Sequence, residues 1–97
     1  MFTIDISDDA LDELRQLRKR DSTMIFDDIE RQLAHQPNVE TRNRKQLRPN
    51  PFAEWELRVD KFRVFYDVET DSETVLVKAV SLKVGNKLVI RGEEFPL

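Results

Sequence analysis

The segment Trp55-Glu56-Leu57-Arg58-Val59-Asp60-Lys61-Phe62-Arg63-Val64-Phe65-Tyr66 decides the fold. Apolar side chains recur at every second position on both sides of Asp60-Lys61: Trp55, Leu57 and Val59 before it, Phe62, Val64, Tyr66 and Val68 after it. A period of two is that of a strand with one buried face, so two strands are predicted, the second over Phe62–Glu69, joined by a two-residue turn. Glu56 and Arg58, and then Arg63, Phe65 and Asp67, fall on the opposite face. Thr70-Asp71-Ser72 turns the chain again. Residues 74–82 are apolar on both faces, with Val75, Val77 and Ala79 against Leu76, Val80 and Leu82, as in a central strand covered on each side. Gly85-Asn86 starts a short tail at residues 87–90, with Arg91, Glu93, Glu94 and Phe95 beyond it.

Upstream of this block, residues 2–6 alternate Phe2, Ile4 and Ile6 with Thr3 and Asp5, which predicts a further strand. Ser7 reads as a helix N-cap. The helix it opens is expected over about residues 8–19, with Ala10, Leu11, Leu14 and Leu17 on one stripe, acids at its start and bases at its end. Asp21 or Ser22 caps a second helix, whose Ile25, Phe26, Ile29 and Leu33 keep the helical spacing until Pro37 ends it. Residues 37–53 hold three prolines, Asn38 and Asn43, and the bases Arg42, Arg44, Lys45 and Arg48; a connection this long is expected to be functional or mobile. The order predicts an α+β fold, β-α-α-β-β-β with a short C-terminal tail. The N-terminal strand lies beside the meander, the helical hairpin packs on one face of a mostly antiparallel sheet, and the other face is open.

The 97 residues, 39% of them apolar, suffice for one core, so a single domain over residues 1–97 is expected and a multidomain enzyme is excluded. Without cysteine, and with His35 alone, neither a disulfide framework nor a thiolate or histidine metal site can form, so no metal and no cofactor are expected. No window is apolar enough to span a bilayer, and residues 1–5 lack a signal-peptide pattern, which points to a cytoplasmic protein without a membrane partner. The net charge of −3 hides a basic pole: residues 31–63 carry eight bases against four acids, whereas residues 1–30 carry nine acids against four bases.

The quoted segment, preceded by a helical hairpin and a basic stretch ending in Lys45-Gln46-Leu47, resembles the RelE/ParE superfamily of toxins from type II toxin–antitoxin systems. The pattern of that superfamily is aromatic-x-Leu-Arg-Val-x-x-Tyr/Phe-Arg-Val/Ile/Leu-x-Tyr, and the resemblance extends over the whole chain in element order and length. It implies a RelE-like fold and a toxin neutralised by a cognate antitoxin. RelE-like members cleave mRNA, mostly on the ribosome, without a metal, whereas ParE-like members inhibit DNA gyrase and are not nucleases. The first expectation is therefore a metal-independent mRNA endoribonuclease that inhibits translation. The alternative is a non-catalytic gyrase inhibitor of the ParE type, or a degenerate member kept for protein binding.

RNA scission requires that the 2′-hydroxyl lose a proton, that a crowded phosphorane be stabilised and that the leaving oxygen gain a proton, so cations and an acid/base pair must converge. Carried over by position, the resemblance gives Arg63 the scissile phosphate, held by bidentate hydrogen bonds, and gives Arg58 a second phosphate contact. Lys87, after Val84-Gly85, supplies a third cation. Glu56 stands where ribosome-dependent enzymes have a base and takes the role of general base, which needs a raised pKa or a close cation. The terminal tyrosine or histidine of the family is replaced by Glu93, Glu94 and Phe95. Arg42, Arg44, Lys45 and Arg48 are assigned to the RNA backbone, and Phe65, beside Arg63, to stacking on a base.

Plainer roles exist for the same residues. Arg58 and Arg63 also read as a cross-strand charge ladder with Glu56 and Asp67, and the loop bases as a solvated surface. His35 reads as a partner of a helix C-terminus, and Trp55 and Tyr66 as core.

Overall fold

The alternation at residues 55–69 produces the hairpin at the middle of the sheet. The computed structural model describes residues 1–84, 87–90 and 93–96, with side chains through Leu82. Among these residues the elements are β1 (Thr3–Ile6), α1 (Asp8–Arg15), α2 (Lys19–Leu33), β2 (Arg44–Gln46), β3 (Trp55–Val59), β4 (Phe62–Glu69), β5 (Thr74–Val84), β6 (Lys87–Ile90) and β7 (Glu93–Pro96). The fold is α+β, as expected. The sheet runs β2-β3-β4-β5-β6-β7, and β1 joins it parallel to β5. All other pairings are antiparallel.

Val59 pairs with Phe62 across the two-residue turn, and Asp60 takes the left-handed conformation this turn needs, at φ 53°. β5 is the central strand. β4 lies along one edge of it, and β1 and then β6 lie along the other. The parallel β1–β5 pairing requires a crossover, which the two helices provide. Their apolar stripe, Ala10, Leu14, Ile25, Ile29 and Leu33, buries against Leu57, Val59, Phe62, Val64, Tyr66, Val75 and Val77. Each large side chain so buried contributes about 1.5–3 kcal/mol.

Between the end of β1 and the start of β6, helix α1 substitutes for a strand. The Ser7 hydroxyl accepts from the Ala10 N–H at 3.1 Å as the N-cap and donates to the Lys78 carbonyl at 3.2 Å. The Glu13 carboxylate accepts from the Val80 N–H at 3.0 Å. Two backbone groups of β5 that lack a neighbouring strand are thereby satisfied.

Several boundaries differ from expectation. α1 stops at Arg15, and α2 starts at Lys19 after an extended Arg18, three residues before Ser22. Ser22 does not cap; its hydroxyl turns back onto the Lys19 carbonyl inside the helix. The 37–53 stretch is not a plain loop, because residues 44–46 add β2 to the sheet edge. The tail is likewise two further strands, β6 and β7.

Replacing Ser7 by Ala removes both the cap and the Lys78 bond. The expected loss is about 1–2 kcal/mol in urea unfolding, at the upper end for an N-cap.

Candidate functional site

The face of the sheet away from the helices carries the candidate residues. Cross-strand partners in an antiparallel ladder project to the same side, so register defines two rows on this face. One is Lys45, Glu56, Phe65 and Ala79, and the next is Arg58, Arg63 and Ser81. The hairpin thus brings Glu56, Arg58 and Arg63 together, as the alternation predicts.

Arg63 does not stand open on that face. Its Nε lies 3.0 Å from Glu56 Oε1, and the two side chains are only 7% and 13% exposed. Nη1 donates to the Asp60 carbonyl at 3.0 Å and to the Phe62 carbonyl at 2.8 Å, which ties the guanidinium to its own turn. Arg58, directly opposite Arg63 on β3, is exposed. The side chain of Lys87 lies outside the described residues, as do those of Glu93, Glu94 and Phe95.

The expectation of an open sheet face is corrected by residues 47–53, which fold over part of it. Phe65, expected to stack on a base, is 1% exposed and forms a second small core with Ala53 and Ala79, flanked by Leu47 and Phe52. Its ring meets Phe52 edge-on at 5.6 Å. Asn50 holds this flap: its side-chain oxygen accepts from the Phe52 and Ala53 N–H groups, and its amide donates to the Arg48 and Ala53 carbonyls.

Arg44, grouped with the RNA-binding bases, is also corrected. It is 8% exposed, and its guanidinium donates to the carbonyls of Gln32, His35 and Val39. It therefore closes the C-terminus of α2, the task assigned to His35, whose side chain stays exposed. A row-mate of Leu57 and Val64, Arg44 sits on the helix side of β2, where those carbonyls satisfy it. Arg42, Lys45 and Arg48 are exposed.

Trp55 and Tyr66 are core residues stacked at 6.1 Å, and the Tyr66 hydroxyl donates to the Pro37 carbonyl at 2.8 Å. Burial holds this phenol above its ordinary value of 10.0, against a smaller opposing pull from Arg44. An open groove of about 900 Å³ lies at the other end of β3, lined by Gln46, Arg48, Asn50, Glu54 and Trp55 among others. Among the described residues no group of three or more His, Asp or Glu side chains could hold a metal, and no helix is long and apolar enough to cross a membrane.

Residues 4–81 match the model of the family described as the ParE toxin of type II toxin–antitoxin systems, parDE. The chain belongs to that family. The toxin's fold is similar to that of the RelBE2 toxin–antitoxin complex from Mycobacterium tuberculosis, at 20% identity and a TM-score of 0.74, covering 87% of this chain and 93% of that one. It is also similar to the isolated Escherichia coli RelE toxin, at 22% identity and a TM-score of 0.68 over 88% and 87% of the two chains. A third similarity is to the RelE–RelB complex from Pyrococcus horikoshii, at 16% identity and a TM-score of 0.64 over 84% and 93%. No curated protein sequence matches the chain.

Sequence reasoning missed Ser81, Asn50 and the capping role of Arg44. Ser81 carries a signal in hindsight: it is the one hydroxyl within an otherwise apolar run from Ala79 to Leu82.

Two measurements check this geometry. Arg63→Ala strands a buried carboxylate and is expected to cost about 3–5 kcal/mol in urea unfolding, whereas Glu56→Leu with Arg63→Met together stay closer to the parent than Arg63→Ala. Tyr66 is the only tyrosine, so alkaline titration reads it alone. The folded toxin keeps a proton that the unfolded chain releases above about pH 10, so stability is complete below that pH and falls as pH rises beyond it. The phenolate absorbance is expected to appear only with unfolding, and Tyr66→Phe is expected to flatten the alkaline loss.

Proposed function

We propose that this toxin acts by binding a macromolecular target through its basic face, and not by cutting RNA with Arg63 as the phosphate clamp. The observation that supports this reading is the closed contact between Arg63 and Glu56. A guanidinium grips a phosphate through two parallel N–H donors, and here Nε and Nη1 already face internal acceptors. Glu56 is itself engaged, with Oε1 held against Arg63 Nε at 3.0 Å.

Of the candidate bases whose side chains are described, Arg42, Lys45, Arg48 and Arg58 are exposed, with Lys45 and Arg58 bordering the closed pair by register. Such a rim suits an acidic protein surface. The target we favour is DNA gyrase, which ParE-like members inhibit, with the cognate antitoxin competing for the same face in the cytoplasm. The specific observation favouring the second reading, an mRNA endoribonuclease acting on or off the ribosome, is that Arg58 stands directly opposite Arg63. Two cations side by side match a phosphodiester once Glu56 moves away.

Expression in a bacterial host with and without the antitoxin, with transcript 5′ ends mapped and gyrase supercoiling assayed with purified toxin, separates the two. Growth arrest with inhibited supercoiling and no new transcript ends is expected. Lys45→Ala with Arg58→Ala is expected to weaken inhibition several-fold, since each exposed charge contact is worth about 0.2–1 kcal/mol. New transcript ends that vanish in Arg63→Lys would overturn the binding reading.

A further inference from the structure

The sheet ends at β2, whose one neighbour among the described residues is β3. An edge strand presents a row of backbone N–H and C=O groups without a ladder partner, and proteins ordinarily cover them. Register tells which groups these are. Arg58 N–H donates to the Asn43 carbonyl and Leu47 N–H to the Glu54 carbonyl, both at 2.8 Å, so residues 43, 45 and 47 face β3. Arg44 and Gln46 therefore turn their backbone groups outward. Arg44 is covered by its own chain: its N–H donates to the Thr41 hydroxyl at 3.1 Å, and its carbonyl accepts from the Thr41 N–H at 3.0 Å. The outward groups of Gln46 meet no second strand among the described residues.

The groove of about 900 Å³ lies at this uncovered stretch: Gln46, Leu47 and Arg48 line it, together with Glu40 and the apolar side chains of Trp55 and Val68. A strand laid against β2 stands about 4.8 Å from it and takes one hydrogen bond from each backbone group of Gln46. The added residue opposite Gln46 projects to the helix side, in the row of Trp55, where an apolar side chain fits. The residue opposite Lys45 projects to the open face, beside an exposed ammonium that favours a carboxylate. Glu40, exposed at the groove, disfavours an acid in the Trp55 row, so the two faces ask for different side chains.

We propose that the outward edge of β2 at Gln46, with the groove beside it, is a strand-addition site for an extended acidic segment of a protein partner. Gln46 supplies the main-chain hydrogen bonds, Trp55 and Val68 receive an apolar side chain, and Lys45 pairs with the carboxylate next to it. In this mode of recognition main-chain bonds give affinity and alternate side chains give the choice of partner. A nucleic acid has no peptide backbone with which to continue the sheet. A second copy of this chain fits poorly, because the Thr41 that covers Arg44 in each copy stands between the two edges. The site goes beyond the functional reading above: it requires neither gyrase nor RNA. Lys45 serves both, and Gln46, projecting to the other side of β2, is the position that separates them.

The test uses the full chain and a capped Glu-Val-Glu-Val-Glu peptide. The readouts are the emission of Trp55, the sole tryptophan, and the shift and exchange protection of the Gln46 amide. Both are expected to change saturably. A valine opposite Gln46 turns its own N–H toward β2, so N-methylating the valines is expected to weaken binding about tenfold or more, whereas N-methylating the central glutamate changes it less than about twofold. Gln46→Pro removes the outward donor and leaves the β2–β3 ladder intact, and it is expected to weaken binding about as much; Gln46→Ala keeps the donor and is expected to bind like the parent. Lys45→Glu is expected to weaken this peptide several-fold and to favour Lys-Val-Lys-Val-Lys instead. If Gln46→Pro does not fold, the N-methylated peptides give the same answer on the parent. No saturable response at millimolar peptide, or binding indifferent to methylation of the valines, overturns the site. Protection of the Gln46 amide that grows with protein concentration and without peptide marks a second copy as the occupant, and overturns it as well.

Discussion

A guanidinium withdrawn from water on a sheet face must find its compensation inside the protein, and the Arg63–Glu56 contact supplies it. The turn at Asp60 completes the arrangement: its carbonyl, presented by the left-handed backbone at that residue, accepts from the same guanidinium. Taking two charges out of water costs several kcal/mol each, recovered only when further hydrogen bonds are made, and the Asp60 and Phe62 carbonyls make them. The hairpin and its charge pair are in this sense one unit. What the chemistry of this face can be depends on whether that unit stays closed.

The hairpin is legible in the sequence because alternation over Trp55–Val59 and Phe62–Glu69 states which side chains share a face. Thr74–Val84 is legible as central for the same reason, since it is apolar on both sides. Alternation says nothing about how deep a face is. Arg63 and Phe65 are placed on the correct face and at the wrong depth: Glu56 and the turn carbonyls close on Arg63, while residues 47–53 roof Phe65, a roof held by the Asn50 side chain bonding to its neighbours' backbone. No periodicity announces such a turn. β2 is hidden likewise: three residues, Arg44-Lys45-Gln46, are too short and too polar to display a period, and only the sheet edge offered by β3 makes them a strand.

Arg44 illustrates why a run of bases is poor evidence for an acidic ligand. Four cations within Arg42–Arg48 read as one patch, yet one of them faces the opposite side of the sheet from Lys45 and serves the backbone. The end of α2 leaves carbonyls without partners, and a long side chain with a forked donor head reaches that of Gln32 in the last turn and those of His35 and Val39 in the segment that follows. The patch that remains, Arg42, Lys45, Arg48 and Arg58, is defined by exposure and not by proximity in the chain.

The attachment of helix α1 to the central strand has a consequence for biosynthesis. The Ser7–Lys78 and Glu13–Val80 bonds join residues 71 and 67 positions apart, and β1 pairs with β5 over a similar separation. Contacts so distant in the chain form late, after the loop between them has been drawn closed. A nascent chain consequently has no central strand for its first strand and helices to pack on until β5 has left the ribosome. A message broken ahead of those codons yields fragments that cannot fold into the toxin.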